Sequence, residues 1–186
     1  MGRQKLLEHV GGTSLVVRAV EAAASWPTVV VASDAVAAEL QASGAARRVR
    51  TVRNDEPERG MNRSLALADA AIDPSEPIAV LLADLPGCDA AAIARVVDAY
   101  SDDVDVVVPQ AGERFGHPVV FGPVARRAIA TLGDGDGLNR IRDAAGLRRR
   151  VVPVADANAF ADVDTEADLR EAKLRFGRSV RSEPID

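Results

Sequence analysis

The feature that most limits what this chain can become is a set of short, β-branched runs. They are TVVVAS at 28–33, VRTV at 49–52, IAVLLAD at 78–84, DVDVVVP at 103–109, HPVVF at 117–121 and RRVVPV at 149–154. Several are apolar without alternation, so the strands they form need cover on both faces. Helix-period segments lie between them. Residues 14–25 carry Val16, Ala19, Val20 and Ala23 on one side; residues 61–72 carry Met61, Leu65, Ala68 and Ile72; residues 89–100 carry Ile93, Val96, Val97 and Tyr100. Spacings of three and four make apolar stripes. Strand alternating with helix predicts an α/β fold, a mostly parallel sheet with helices on both faces. Gly44, Gly133 and Gly146 stand where helix C-caps are expected. Thr165 and Asp168 form a T-x-x-D cap ahead of a last helix with Leu169, Ala172 and Phe176 inward.

The 186 residues suffice for one domain with a real core, and neither an internal repeat nor a long linker divides them. Residues 1–176 therefore read as a single domain and GRSVRSEPID, 177–186, as a polar tail. A net charge of −5 and 3% aromatic residues argue against a nucleic-acid partner. The densest basic cluster, Arg148 to Arg150, reads as a solvated start of a strand. The lone cysteine, Cys88, permits no intrachain disulfide and points to a reducing, cytoplasmic setting. No signal peptide is visible, and no uncharged apolar run reaches the roughly 18 residues of a membrane-spanning helix, so no membrane partner is expected. No G-x-G-x-x-G follows a strand with an acidic residue about 20 positions on, which excludes a dinucleotide-dependent oxidoreductase.

Chemistry enters at Asp84. Ligands of open α/β sheets bind beyond the carboxyl ends of the strands. Asp84 falls at that end of what reads as a central strand, and Pro86 and Gly87 then turn the chain. A carboxylate there is half desolvated unless a cation meets it. A hard divalent cation such as Mg²⁺ takes oxygen ligands from few carboxylates plus substrate phosphates. Capping the helix that begins near Asp89 is the rival role. The segment ADVDTEADL, 161–169, adds Asp162 and Asp164. Residues two apart in an extended segment face the same way, so both can address one site, unless one serves only the local turn.

Five segments occur in an order that resembles a known family: GRQKLLEHVGGTSLVVRAV, RNDEPERGMNRSLALA, VLLADLPG, GERFGHPVVF and ADVDTEADL. Together they look like the MobA-like nucleotidyltransferases, and the G-H-P-V and D-x-D-T motifs look most like the molybdenum-cofactor cytidylyltransferase branch. The resemblance implies a three-layer Rossmann-like fold and Mg²⁺-dependent transfer of a nucleoside monophosphate from a nucleoside triphosphate, CTP or GTP, to a phosphorylated acceptor such as molybdopterin, with pyrophosphate released. It implies Asp84 and Asp164 as metal ligands, with Asp162 a weaker third. Lys5 would contact the triphosphate and offset transition-state charge beside Asp84, with Gly2 and Arg3 next to it. Gly60, Asn62 and Ser64 match a segment that lines the nucleotide pocket, where Gly60 would admit close backbone approach and Ser64 would bond base or ribose, or merely cap its helix. His117 falls in a loop on the acceptor side, to position the acceptor or to make a turn. Asp134 and Asp136, in GDGDGLNRI, would cap their own loop. Cys88 reads as a buried inert thiol and His9 as a surface residue.

The chain also departs from the pattern. Met1 and Gly2 coincide with the end of the family's glycine-rich loop, so the hydrophobic first strand and most of the phosphate-cradling loop are absent from it. A start misassigned to an internal Met is the expected cause, and poor binding of nucleoside triphosphate by this form the expected result. A non-catalytic nucleotide- or cofactor-binding chaperone, handing cofactor to a molybdoenzyme partner, is the alternative from a different class.

Overall fold

A computed structural model describes residues 4–133 and 135–177. The expectations placed on Gly2, Arg3 and Asp134, and on the tail after Gly177, lie outside the described residues. In chain order the elements are β1 (His9–Val10), β2 (Thr13–Ser14), α1 (Leu15–Ala22), β3 (Thr28–Ala32), α2 (Asp34–Ala42), β4 (Val49–Arg53), α3 (Met61–Ala70) and β5 (Ile78–Val80). Then come α4 (Ala90–Val97), β6 (Val106–Ala111), β7 (Arg114–Phe115), β8 (Val119–Phe121), α5 (Pro123–Arg126), α6 (Asn139–Arg142), β9 (Arg149–Pro153) and α7 (Glu166–Phe176).

The non-alternating runs do what their composition demands. On one face of β6, Val106 and Val108 pack with Phe121, Leu65 of α3, Ala125 of α5 and Ile141 of α6. On the other face Val107 packs with Val120 and with Val96 of α4. A strand with both faces in the core has no polar position to offer, and each buried side chain of this size contributes about 1.5–3 kcal/mol. Helix, sheet, helix is thus the layering, and the α/β expectation holds. No helix among the described residues is long and apolar enough to cross a membrane.

The sheet pairing is mixed, with antiparallel pairs beside the expected parallel ones. β5, β8, β6 and β7 pair in that order, with β9 also on β6. β8 lies antiparallel between β5 and β6, and β9 runs parallel to β6. The cause is loop length. A parallel crossover needs a dozen or more residues, whereas β6 reaches β8 through the tight β6–β7 hairpin, so the chain returns antiparallel. β3 and β4 form a separate parallel pair. The run IAVLLAD is a strand only over Ile78–Val80. Ala79 in its middle is exposed and Leu81 to Ala83 are half-buried, because β5 has a neighbour, β8, on one edge only.

Candidate active site

Asp84 follows β5, and its own backbone anchors the second acidic segment. The Val163 N–H donates to the Asp84 carbonyl at 3.1 Å. Val163 is buried with Val10, Leu15 and Leu169, which leaves its neighbours Asp162 and Asp164 exposed. The cap of α7 then holds Asp164 from the other side. Thr165 accepts from the Asp168 N–H at 3.2 Å, and Asp168 Oδ2 accepts from the Thr165 N–H at 2.7 Å and the Asp164 N–H at 3.2 Å. The predicted T-x-x-D cap is therefore a reciprocal box, and it positions the carboxylate next to it.

Lys5 joins the two. It opens a single 3₁₀ turn, Lys5–Leu7, whose leucines pack against Val16, Val20 and Leu40. Its Nζ donates to Asp84 Oδ2 at 2.6 Å and to Asp164 Oδ1 at 2.6 Å. The two carboxylate oxygens are thus separated by no more than twice that distance. Burial pulls the Lys5 pKa down more than any other single influence, but the hydrogen bonds and charges of Asp164 and Asp84 together leave it raised. The Lys5 ammonium in turn holds the Asp164 carboxyl below its usual value. Asp84 Oδ1 is buried with no hydrogen-bond partner. Two hard carboxylates converging on one cationic point, one of them with an orphaned buried oxygen, suit a divalent cation. Asp162 does not complete a trio: among the described residues no three of His, Cys, Asp and Glu are placed to hold a metal ion.

His117 stands close by. Its Nδ1 is 3.0 Å from the Val80 carbonyl, which makes Nδ1 the protonated nitrogen and leaves Nε2 as an acceptor. Burial lowers its pKa, against the opposing pull of the Val80 carbonyl and the Asp84 charge. The ring is therefore neutral near pH 7 and positions by hydrogen bonding rather than by charge. Gly116 beside it has no room for a side chain, since a Cβ there would fall 2.1 Å from the Phe160 ring. Cys88 is buried, and desolvation pushes its thiol up to about 11, so it is an inert core residue as expected.

The GMNRSL segment builds α3 and places its three candidate residues as follows. Gly60 is the residue before the first turn at φ +82°, and nothing lies within 4 Å of where its Cβ would be. Backbone conformation, not close approach, is what requires glycine there. Asn62 Nδ2 donates to the carbonyls of Gly133 at 2.6 Å and Asp136 at 2.9 Å, so it clamps the glycine loop, while its buried Oδ1 has no partner. Ser64 is not the cap of α3; its hydroxyl accepts from Asn54 Nδ2 at 3.1 Å. Asp136 closes its own loop by accepting from the Gly133 N–H at 2.8 Å.

Arg18 escapes sequence reasoning. Its Nε donates to the Pro86 carbonyl at 3.0 Å and its guanidinium lies over the Phe176 ring, which fixes the turn after Asp84. Nothing in α1 signals this, because both partners are distant in the chain.

The profile of the MobA-like NTP transferase domain matches residues 1–151. A phosphoenolpyruvate guanylyltransferase of Streptomyces coelicolor is 35% identical over 174 residues, which take in 89% of this chain and 77% of that protein. Rv0371c of Mycobacterium tuberculosis, in complex with manganese, superposes with a TM-score of 0.76 at 22% identity, covering 91% of each chain. Molybdopterin-guanine dinucleotide biosynthesis protein A of Archaeoglobus fulgidus superposes with a TM-score of 0.65 at 17% identity, covering 94% of this chain and 91% of its own.

Proposed function

The chain belongs to the MobA-like NTP transferase family, a family of nucleotidyltransferases, and from that premise we propose that it transfers a guanylyl group from GTP to a small phosphorylated acid of the phosphoenolpyruvate kind. A phosphate oxygen of the acceptor attacks the α-phosphorus, the bond to the β-phosphate oxygen breaks, and pyrophosphate leaves. The observation that carries this is the meeting of Asp84 and Asp164 on one cationic point. Asp84 and Asp164 are the residues that would hold Mg²⁺, and a bound divalent cation supplies charge neutralisation at the phosphate under attack. Lys5 contributes a second cation to the same small region, where triphosphate oxygens need donors. His117 offers a neutral Nε2 on the acceptor side.

Guanine takes the place of cytosine in this reading because the relative above is a guanylyltransferase. The test measures pyrophosphate release from GTP and from CTP, each with phosphoenolpyruvate or with molybdopterin, and Mg²⁺. Release is expected from GTP with phosphoenolpyruvate and not after Asp84→Asn. Release from CTP with molybdopterin alone would overturn both substrate assignments. Nucleotide binding without release from any pair would favour a carrier of cofactor over an enzyme.

A further inference from the structure

α1 packs on two sides. Val16, Val17 and Val20 face one apolar group, with Val36 and Leu40 of α2. Leu15, Arg18 and Ala22, spaced by three and four, share the other side. There Leu15 is buried with Val163, Leu169 and Ala172, and Phe176 packs against that group. Ala22 packs against Leu85 and Cys88. This side of α1 is therefore the bed under both acidic segments, the one that carries Asp164 and the one that carries Asp84. A guanidinium in the middle of that bed needs a reason, because a half-buried charge is costly unless hydrogen bonds meet it. Arg18 is half-buried, and its hydrogen bond goes to a backbone carbonyl: Nε donates to Pro86 at 3.0 Å.

Pro86 and Gly87 make the turn that follows Asp84. The ends of this turn are fixed. The Asp84 carbonyl accepts from the Val163 N–H at 3.1 Å, and the Cys88 N–H donates to the Leu85 carbonyl at 3.1 Å. Arg18 ties the apex between them. Phe176 closes on the same apex, since a Cβ on Gly87 would fall 3.0 Å from the Phe176 ring and 2.8 Å from the Asn158 carbonyl oxygen. The Arg18 guanidinium carbon lies 5.7 Å from the centroid of that ring. α7 thus meets the assembly at both ends. Its cap stands beside Asp164, and Phe176, its last residue, closes on the turn after Asp84. Its 11 residues span about 16 Å at ~1.5 Å per residue. Asp84 needs this support. Its Oδ2 meets Lys5 at 2.6 Å, and its Oδ1 is buried without a hydrogen-bond partner. Once released from Lys5, the carboxylate keeps its aim only through its backbone.

We propose, resting on the reading of Asp84 and Asp164 as the pair that holds the cation, that Arg18 is a positioning residue of the transfer. With Phe176 as its platform it fixes the turn over residues 85–87, and through that turn the direction in which Asp84 presents its carboxylate toward Asp164. Lysine is an incomplete substitute, because an ammonium reaches a carbonyl but has no planar face to lay on a ring. Groups that orient metal ligands from outside the ligand set contribute about 10–100-fold in metal affinity or activity.

The test uses the 186-residue chain without nucleotide or acceptor. R18M, R18K, F176L and the double variant R18M/F176L are compared with the native chain by three measurements. These are a titration of Mn²⁺ followed by electron paramagnetic resonance, hydrogen exchange of the Val163 amide in metal-free protein, and a thermal melt. R18M is expected to weaken Mn²⁺ binding about tenfold or more. It should also speed exchange at Val163, whose N–H the Asp84 carbonyl holds, and leave the amides that join β6 to β8 as they were. R18K should recover part of the loss. F176L should give a loss of the same kind, and the double variant should be no worse than R18M, because both side chains act through one contact. Methionine suits an apolar stripe, so R18M should melt within a few degrees of the native chain; if R18M does not fold, R18K decides by the same two readouts. Native Mn²⁺ affinity in R18M, even with a lowered melting temperature, would reduce Arg18 to packing and overturn the proposal. Losses that add in the double variant would overturn the shared contact. D84N separates this failure from that of the underlying reading. D84N that binds Mn²⁺ like the native chain would remove the cation pair itself, whereas loss of binding in D84N beside an unchanged R18M would remove only the role of Arg18.

Discussion

Replacing Lys5 by Met removes the ammonium that now satisfies both acidic side chains of the site. Lys5 and a divalent cation compete for the same two oxygens, each 2.6 Å from Nζ. Hydrogen bonds between ionised groups contribute about 1.5–3 kcal/mol. Lys5 is 33% exposed and Asp164 61% exposed, so solvent screening places the gain at the low end, about 1.5 kcal/mol. At about 1.4 kcal/mol per decade, K5M should bind Mn²⁺ about tenfold more tightly than the native chain in the absence of nucleotide. The raised pKa keeps the native ammonium charged throughout the neutral range, so the gain should not vary with pH there. The assay is a titration of free Mn²⁺ followed by electron paramagnetic resonance, with D84N as the form that should lose binding. Turnover of K5M should fall although its metal site is tighter, because the cation that faces the triphosphate is gone. An Mn²⁺ affinity that is unchanged or weaker in K5M would show that Lys5 does not occupy the cation position.

Arg126 is 4% exposed; its Nε donates to Asp69 Oδ1 at 2.8 Å and its Nη1 to the carbonyls of Asp73 at 2.6 Å and Glu76 at 2.5 Å, sealing the end of α3. R126M strands those acceptors and should cost about 3 kcal/mol, read in a urea melt; a loss below about 1 kcal/mol would refute the sealing role. Asp105 is buried, and the side-chain hydrogen bond from Arg148, followed by its backbone N–H, lowers its carboxyl to about 2. The native value lies below the unfolded one of about 3.9, so its contribution is full above about pH 4 and is lost as pH falls through about 2. R148M should flatten that acid limb of the urea midpoint. G116A drives a methyl into the Phe160 ring and should cost about 1–3 kcal/mol, a fall of the calorimetric melting temperature by several degrees.

Much of the fold was legible because it rests on short-range patterns. The period of three and four in residues 61–72 places Leu65 in the core, and α3 spans Met61–Ala70. Thr165 and Asp168 announce α7 because a capping box lies within one turn. The direction of β8 was legible only in part, since it follows from the hairpin at β7, which the run GERFGHP does not declare by alternation. At the site, Asp84 stood out because an apolar strand seldom ends on a carboxylate. The partners that Asn62 and Ser64 take in the fold were not legible, because a side chain's partner across the fold leaves no trace in its neighbours.

What the amino-acid sequence determined by itself is therefore the inventory: apolar strands needing cover on both faces, helices to cover them, and carboxylates where strands end. Hydrophobic periodicity and capping act over a few residues, and their energetics are written in adjacent side chains. Only the tertiary structure decided that Asp84, Asp164 and Lys5 share one point, that Arg126 seals α3, and that Arg18 reaches the turn after Asp84. Those juxtapositions come from how layers stack, and such long-range geometry has no local pattern to carry it.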